Sequence, residues 1–373
     1  MVSEPSSNLM SDFSPSNPSH SPPNPQGSSV RDPDRLDRAV RHKFKSLTAA
    51  SGELAMPCVP AMLHEQMQML EGLLRSLGQD LKENELAGLR ETIARKLAEG
   101  FQTSPHARLV IRYTTPDPTQ GLTHGLKLSA TIQIKSLEQK YDGWVKSRSG
   151  PLFGSHPDAK AIAVARQLSN PTHSPILDIG AGTGRNTIAL AQLGYPVEAI
   201  ELTPVFARHL VSEASQQQLP IRVIQGNILD PKTILPSQHY PLILVSEVIS
   251  HFRSLDDVRI LFSKVCDALP SGGLFLFNAF LCEPGYIPSD RVRQMAEVVW
   301  SFLLTREEFR TAIAGFPLKI LSEESAYEYE RQHLSPEAWP PTDWFVGWST
   351  GRNIFPFAEK PPVELRWILC RKE

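Results

Sequence analysis

Three glycines follow a short apolar run: residues 176–184 read Ile-Leu-Asp-Ile-Gly-Ala-Gly-Thr-Gly, which places them at Gly180, Gly182 and Gly184. Because they lack Cβ atoms, these positions allow a ligand to come close to the backbone. A helix predicted to start near Arg185 would present free N–H groups at its N-terminus, and these suit a polar or anionic ligand. The segment therefore predicts a strand, a turn and a helix that together bind a small polar molecule.

A carboxylate, Glu201, ends the next apolar run of the chain. Its two oxygens can accept parallel hydrogen bonds from a ribose diol. Dinucleotide-binding enzymes also use such a carboxylate, but they need the pattern G-x-G-x-x-G. Counted from Gly180, the sixth position here is Arg185, so that fingerprint is incomplete. A nicotinamide-dependent dehydrogenase is therefore disfavoured.

Several segments, in the right order, match one family. Residues 178–184 (Asp-x-Gly-x-Gly-x-Gly) resemble motif I of the class I S-adenosylmethionine (SAM)-dependent methyltransferases, and the residues that follow resemble its tellurite-resistance-like and general small-molecule branches. Residues 246–252 resemble the Glu-Val-Leu-Glu-His-Val stretch of ubiquinone-type members, with Ser250 in place of the second Glu. Residues 269–276 match the Pro-x-Gly-Gly turn into the fifth strand.

This resemblance implies that SAM is the cofactor. Asp178 would organise the glycine loop near the amino end of SAM, and Glu201 would bind both ribose hydroxyls. Leu202 would flank the adenine together with Thr203, and Ile228 would cover the ring. Asn227 stands where the family often has Asp, and its side chain can still accept a hydrogen bond from the adenine amino group. The implied cofactor-binding positions are Asp178, Gly180, Ala181, Gly182, Gly184, Glu201, Leu202, Asn227, Ile228 and Glu247.

Methyl transfer from a sulfonium needs little covalent chemistry from the protein. The enzyme positions the reactants and removes a proton if the acceptor carries one. His251 is the candidate general base because an ordinary histidine titrates near neutral pH; the alternative is that it packs under the loop. Glu247 is the second catalytic candidate, orienting the SAM amino group or the substrate, unless it only caps the strand end. Some relatives bind a divalent cation through Glu-x-x-Glu-His; because Ser250 replaces one carboxylate, we expect no metal.

From about residue 140 onward, predicted strands alternate with predicted helices, and these elements must position the candidate site residues. The alternation predicts a parallel sheet covered on both faces. Strands are predicted at 175–179, 196–201, 220–225, 241–246 and 273–278, and helices at 158–168, 185–193, 204–217, 254–268 and 303–313. Two later alternating runs, 317–330 and 363–371, fit a closing hairpin. The expected fold is α/β: a Rossmann-like class I methyltransferase fold with a seven-stranded, mostly parallel sheet and a terminal antiparallel hairpin.

Three domains are predicted along the chain. Residues 1–50 begin with 10 Ser, 6 Pro and 3 Asn in the first 30 positions, which predicts a disordered tail, followed by a charged linker or helix start at 31–45. Residues 51–139 form an α+β accessory module, with a helical pair at 60–101 and a β-hairpin over 109–134. That module would supply a dimer surface or a pocket wall, or would simply pack on the main domain. Residues 140–373 are the SAM-dependent methyltransferase domain.

Two further segments are candidates for the surroundings of the site. Residues 333–361 crowd Trp339, Trp344 and Trp348 among prolines, which predicts an irregular aromatic loop. We expect it to line or cover the acceptor pocket, together with Arg352, Asn353 and His333; the alternative is a patch that docks on residues 51–135. Tyr141 and Trp144 would close over the cofactor or pack in the core, and His156 would belong to the same lid.

Composition restricts the class of protein and its partners. The 373 residues carry a formal net charge of −2, so there is no basic excess that favours nucleic acid. No apolar run approaches the length of a membrane span, and no secretory signal is evident, so the expected location is cytoplasmic. Four scattered cysteines without a Cys-x-x-Cys pair disfavour zinc and disulfides. The expected partner is a small-molecule acceptor, and a homodimer is possible. A protein side-chain methyltransferase and a non-catalytic SAM-binding scaffold remain the alternatives.

Overall fold

The computed structural model describes residues 32–46, 50–79, 81–115, 126–134 and 154–373. The chain divides into two compact units, Met1–Ile134 and Lys135–Glu373. Tyr141 and Trp144, predicted to close over the cofactor, lie outside the described residues. No helix within the described ranges combines the length and the apolar character that crossing a membrane requires.

The first unit packs two helices on an antiparallel sheet of order β1-β2-β3. Its elements are α1 (Pro33–Ser46), β1 (Ser51–Pro57), α2 (Leu63–Ser76), α3 (Glu83–Thr103), β2 (Arg108–Thr114) and β3 (Lys127–Gln133). Side chains of α2 and α3, including Leu70 and Ile93, bury Leu109 and Ile111 of the central strand. The predicted hairpin is present as β2 and β3, but sequence reasoning missed β1. Its segment, SGELAMP, lacks the β-branched and aromatic residues by which strands are recognised.

The second unit is built on one mixed sheet. Its first half contains α4 (Ala159–Ala165), β4 (Ile176–Ile179), α5 (Arg185–Gln192), β5 (Val197–Glu201), α6 (Pro204–Gln216), β6 (Ile221–Gln225), β7 (Leu242–Val245) and α7 (Leu255–Ala268). Its second half contains β8 (Leu274–Cys282), α8 (Asp290–Val298), β9 (Leu303–Leu304), α9 (Arg306–Ile313), β10 (Leu318–Ser325), α10 (Ala326–His333), α11 (Phe345–Ser349) and β11 (Val363–Lys372).

The strand order is β10-β11-β8-β7-β4-β5-β6, and the short β9 pairs with β8. The five central strands are parallel, whereas β11 runs antiparallel to both β8 and β10. The predicted Rossmann-like methyltransferase fold with a closing antiparallel hairpin is therefore confirmed. From β4 the chain goes first to β5 on one side and later to β7 on the other. Ligands of such sheets bind at the carboxyl ends of strands where the order reverses.

Both faces of this sheet are buried. One face packs against α7 and α9, where Leu177 and Phe277 join Phe262 and Phe309. The opposite face packs against α4 and α5, where Ile176 and Leu244 join Val164 and Leu190. Because side chains alternate along a strand, Asp178 of β4 shares its face with Ile176 and points toward α5.

Several predicted boundaries were wrong for a common reason, namely overlooked helix caps. The strand predicted over 317–330 ends at Ser325, whose Oγ accepts a hydrogen bond from the N–H of Glu328 and so begins α10. The helix predicted over 303–313 begins only at Arg306, because Thr305 and Glu308 form a capping box after β9. The helix α8 was not predicted, although Ser289 caps it.

Candidate functional site

The glycine loop between β4 and α5 has a backbone that only glycine adopts easily. Gly180, Gly182 and Gly184 have φ values of +76°, +57° and +94°, in the left-handed region. The N–H of Gly180 donates to the Ile200 carbonyl at 2.7 Å, which ties the loop to β5. Gly184 is the N-cap of α5. The loop is thus held open at the carboxyl edge of the sheet, and Gly180 itself is exposed.

We expect Gly180→Ala to destabilise the protein. A Cβ at this position would lie 2.2 Å from Cγ2 of Val248, in addition to the strain of a positive φ. Gly272→Ala is a matched control, since Gly272 has φ +80° with nothing within 4 Å of its virtual Cβ. Chemical denaturation should show a loss of about 1 kcal/mol for the control and about 2–3 kcal/mol for Gly180→Ala. Equal losses would mean that the contact with Val248 is relieved without cost.

Glu201, at the end of β5, binds the glycine loop. Its Oε2 accepts a hydrogen bond from the N–H of Gly182 at 2.8 Å, and its Oε1 accepts one from the N–H of Thr203 at 2.7 Å. The residue is nearly buried, at 5 % exposure. Each carboxylate oxygen has a further lone pair that can accept another hydrogen bond. The side chain therefore joins the loop to the start of α6 and still has acceptor capacity.

Asp178 lies behind the loop and contacts α5. Its Oδ2 accepts a hydrogen bond from Oγ1 of Thr187 at 2.5 Å. Burial raises the pKa of Asp178 to about 6, and the charges of Asp158 and Glu201 act in the same direction, against the Thr187 hydrogen bond and the Arg185 charge. The carboxylate joins the end of β4 to α5. Its predicted roles, organising the glycine loop and lying near the amino end of SAM, stay predictions.

The predicted adenine-binding residues follow β5 and β6 at the same edge of the sheet. Leu202 is half exposed, and Ile228 is nearly buried in the core cluster that contains Ile200. Asn227 is exposed, and its Oδ1 accepts a hydrogen bond from the N–H of Leu229 at 2.9 Å. That bond fixes the side chain in a turn while leaving its amide N–H groups and one lone pair available.

A buried arginine network, which sequence reasoning missed, adjoins the loop. One guanidinium nitrogen of Arg185, Nη2, lies 3.0 Å from Oδ1 of Asp158 and 3.0 Å from Oε1 of Glu247. Asp158, the residue before α4, also accepts hydrogen bonds from Asn186 at 2.8 Å and Ser246 at 2.7 Å. The two acidic partners raise the pKa of Arg185 although burial opposes them, so it stays charged. The partners are 27 and 62 residues away along the chain, and no local pattern connects them.

Glu247 follows β7 in a strained conformation, with φ +60°. Its N–H donates to Oδ1 of Asn278 at 2.7 Å, which holds this backbone in place. Burial raises the pKa of the Glu247 carboxyl group, and Arg185 opposes that shift. The side chain is directed by Arg185, and its predicted role toward the cofactor or the substrate stays a prediction.

Another buried carboxylate, Glu330 of α10, joins α10 and β11 to the start of α4 in the second unit. It is fully buried and accepts hydrogen bonds from the N–H groups of Ala159 at 2.7 Å and Lys160 at 3.2 Å, at the N-terminus of α4. The indole of Trp367 in β11 donates to the same carboxylate at 3.1 Å. Burial and the nearby Asp158 raise the pKa of Glu330 to about 8, against the pull of the backbone donors.

Comparison with known proteins agrees with this geometry. Residues 176–273, which run from β4 to the turn before β8, match the family described as methyltransferase domain. The matched segment contains the glycine loop and Glu201, and it is similar to a methyltransferase domain. The uncharacterized methyltransferase YodH of Bacillus subtilis (strain 168) is 27% identical over 157 residues, which are 42% of this chain and 64% of YodH. Thus the chain spans less than two thirds of that relative.

One solved structure similar to this chain is a geranyl diphosphate methyltransferase in complex with SAM, at a TM-score of 0.46 and 17% identity. The match covers 58% of this chain and 85% of that protein. The corresponding enzyme of Streptomyces coelicolor A3(2), in complex with Mg²⁺, geranyl diphosphate and S-adenosyl-L-homocysteine, gives a TM-score of 0.42 at 17% identity, over 62% of this chain and 92% of that one.

His251 lies on a single 3-10 turn after β7 (Ile249–His251). Its ring meets the Trp300 ring edge-on, with the centroids 5.0 Å apart. The residue is exposed, yet the protein around it displaces bulk water, and this desolvation lowers the pKa of His251 to about 4. The imidazole is therefore neutral at physiological pH and can accept a proton or a hydrogen bond.

The aromatic segment at residues 333–361 packs more tightly than predicted. Trp348 is buried on α11, stacks edge-on against Phe280 at 5.0 Å, and donates from its indole to the Trp300 carbonyl at 3.1 Å. The prediction of an irregular loop was wrong over α11, because Phe345 and Trp348 fall one turn apart and both face the core. Trp348 thus supports the backbone of the residue that contacts His251.

Other side chains predicted around the pocket have local partners or are exposed. Arg352 donates to the carbonyls of Ala358 and Glu359, and the His333 ring stacks on Tyr329. Asn353 and His156 are exposed. Among the residues that the structure describes, no group of three or more His, Cys, Asp or Glu side chains is arranged to hold a metal ion. All four cysteines of the chain are free and buried.

Proposed function

We propose that this chain is a SAM-dependent methyltransferase that transfers a methyl group to a small organic acceptor. The observation that carries the proposal is the Glu201 carboxylate bound to the glycine loop at the point where the strand order reverses. This combination offers a diol acceptor beside an open backbone. The tellurite-resistance-like or ubiquinone-type branch, suggested by residues 185–195 and 246–252, belongs to the same proposal.

The residues present fit the proposed donor. The positive φ values of the three glycines keep the loop free of side chains, and Gly180 is exposed where a ligand would approach. Glu201 has lone pairs left for two ribose hydroxyls. Leu202, Asn227 and Ile228 would hold the adenine, and Glu247 would hold the amino group. When bound, SAM would supply an electrophilic methyl group on a positively charged sulfonium sulfur, which leaves as a neutral thioether.

The protein's own contribution is positioning and, for an acceptor with a proton, removal of that proton. His251 is neutral at pH 7 because desolvation lowers its pKa to about 4. Its ring orientation is set by Trp300, whose backbone Trp348 supports. His251 would therefore accept the acceptor's proton or hydrogen bond while Glu247 orients the reactants.

If His251 is the base, turnover should depend on pH in a specific way. The neutral form is the active one, so the rate should stay flat from pH 8 down to about pH 5 and fall only as pH approaches the pKa of about 4. His251→Ala should lower kcat by about 100-fold with little change in SAM affinity. The measurement is a pH profile of kcat for both proteins on an identified acceptor. An unchanged kcat in the variant would contradict this role, whereas an acid limb near pH 6.5 would contradict only the lowered pKa of His251.

Calorimetric titration with SAM, S-adenosylhomocysteine and NAD tests the proposed function first. Binding of the first two without the third is the expected result and would justify screening small acceptors. Binding of NAD alone would overturn the proposal. SAM binding without turnover on metabolite-sized acceptors would favour a protein side-chain acceptor or a non-catalytic scaffold.

A further inference from the structure

The buried arginine beside the glycine loop has an arrangement that packing alone does not require. The Arg185 side chain is 8 % exposed, and its two acidic partners Asp158 and Glu247 are 2 % and 15 % exposed. Two carboxylates around one guanidinium leave a net negative charge in a place with little water. Such a charge is costly unless a cation completes it.

The two carboxylates differ in how many donors they have. Asp158 accepts hydrogen bonds from Arg185, Asn186 and Ser246. For the carboxylate of Glu247, Arg185 is the one side-chain donor among the described residues, and it reaches Oε1. The Oε2 atom of Glu247 makes no hydrogen bond within that part of the chain. Glu247 is also the more exposed of the two, so the missing cation would approach it and not Asp158.

Both the backbone and the side chain of Glu247 are held in place by hydrogen bonds. Its backbone at φ +60° is held by Asn278, and its Oε1 is held by Arg185. Arg185 is the first residue of α5, directly after the glycine loop, and Glu247 directly follows β7 and Ser246. The free oxygen therefore lies between the carboxyl ends of β4 and β7, where the proposed donor would place its charged end.

We infer that Arg185 is a positioning residue, which holds the Glu247 carboxylate so that its second oxygen accepts a hydrogen bond from the ammonium group of the bound methyl donor. This inference rests on the proposed function. Arg185 favours the ionised form of Glu247, against burial and the nearby Asp158, so that the carboxylate can pair with the ammonium group. Without Arg185 the side chain would lose its fixed direction, and the ammonium group would lose its acceptor.

The test compares two ligands by calorimetry, S-adenosylhomocysteine and its analogue in which hydrogen replaces the amino group. In Arg185→Met and in Glu247→Gln, affinity for S-adenosylhomocysteine should fall about 10- to 100-fold, whereas affinity for the deaminated analogue should stay within about threefold of wild type. The double variant should bind no more weakly than either single variant, because Arg185 acts through Glu247. Arg185→Lys should recover part of the affinity.

Two further variants keep the test decisive. If Arg185→Met unfolds because Asp158 is left unpaired, the charge-neutral pair Asp158→Asn with Arg185→Met replaces it, with Glu247→Gln measured alongside. Arg253→Met, which removes a different ion pair with Glu297, is the control and should change neither affinity. Equal losses for both ligands, or no loss for either, would overturn the positioning role. Failure of the wild-type chain to bind S-adenosylhomocysteine would instead overturn the proposed function.

Discussion

Glu201→Ala should weaken cofactor binding substantially. The variant would lose the two proposed hydrogen bonds to the ribose hydroxyls, which should weaken SAM binding by about 1–3 kcal/mol, or roughly 5- to 150-fold in Kd. It also releases the N–H groups of Gly182 and Thr203, which bind this carboxylate at 2.8 and 2.7 Å. The glycine loop would then lose its attachment to β5 in the free protein, and part of the binding energy would be spent on ordering it. Calorimetric titration with SAM measures the effect.

Glu198→Ala serves as the matched control. Glu198 lies on the same strand but at its other half, where it pairs with the exposed Arg222 at 3.3 Å. Its removal should leave SAM affinity unchanged. If a folded Glu201→Ala protein binds SAM as tightly as the wild type, the proposed orientation of the cofactor is wrong, whatever the family resemblance.

Glu330→Leu should give the largest loss of stability. The substitution leaves three donors without their acceptor: the N–H groups of Ala159 and Lys160 and the indole of Trp367. Each buried donor without a partner costs about 1–3 kcal/mol, and relief of the repulsion from Asp158 offsets part of the sum. We expect the free energy of unfolding to fall by about 3–5 kcal/mol, as measured by urea denaturation.

Two further variants show whether the loss of stability comes from removing the Glu330 carboxylate. Glu328→Leu changes an exposed glutamate on the same helix and should cost less than about 1 kcal/mol. Trp367→Phe removes one of the three donors and should cost less than Glu330→Leu, mostly through lost packing. A Glu330→Leu protein within about 1 kcal/mol of wild type would show that water or local movement replaces these hydrogen bonds.

Local sequence patterns predicted the sheet of the second unit well. Apolar runs ending in glycine or a carboxylate located β4 and β5, because parallel strands buried on both faces are short and continuously apolar. The same reasoning placed Glu201 next to the glycine loop. Caps were the recurrent failure: Thr305 and Ser325 shift boundaries that hydrophobic periodicity alone cannot locate.

The charged network could not be predicted in this way. Arg185 was named as the start of a helix and as the residue that interrupts a dinucleotide fingerprint, but not as part of a charged network, and Asp158 was not named as a site residue. Their contact depends on α4 and α5 packing side by side on one face of the sheet, with β7 ending beneath them. A single sequence gives the residue types but not this contact, which depends on the tertiary fold. Glu330 was missed for the same reason, since its partners lie 37 and about 170 residues away.

The position of β11 has a consequence for biosynthesis. It is the last strand along the described chain, yet it lies inside the sheet, between β8 and β10. Until the ribosome has passed residue 372, β8 and β10 each present an unpaired edge, and β8 is almost wholly apolar. The nascent chain would be most prone to aggregate during that interval, and a factor that shields exposed strands should then raise the yield of folded protein.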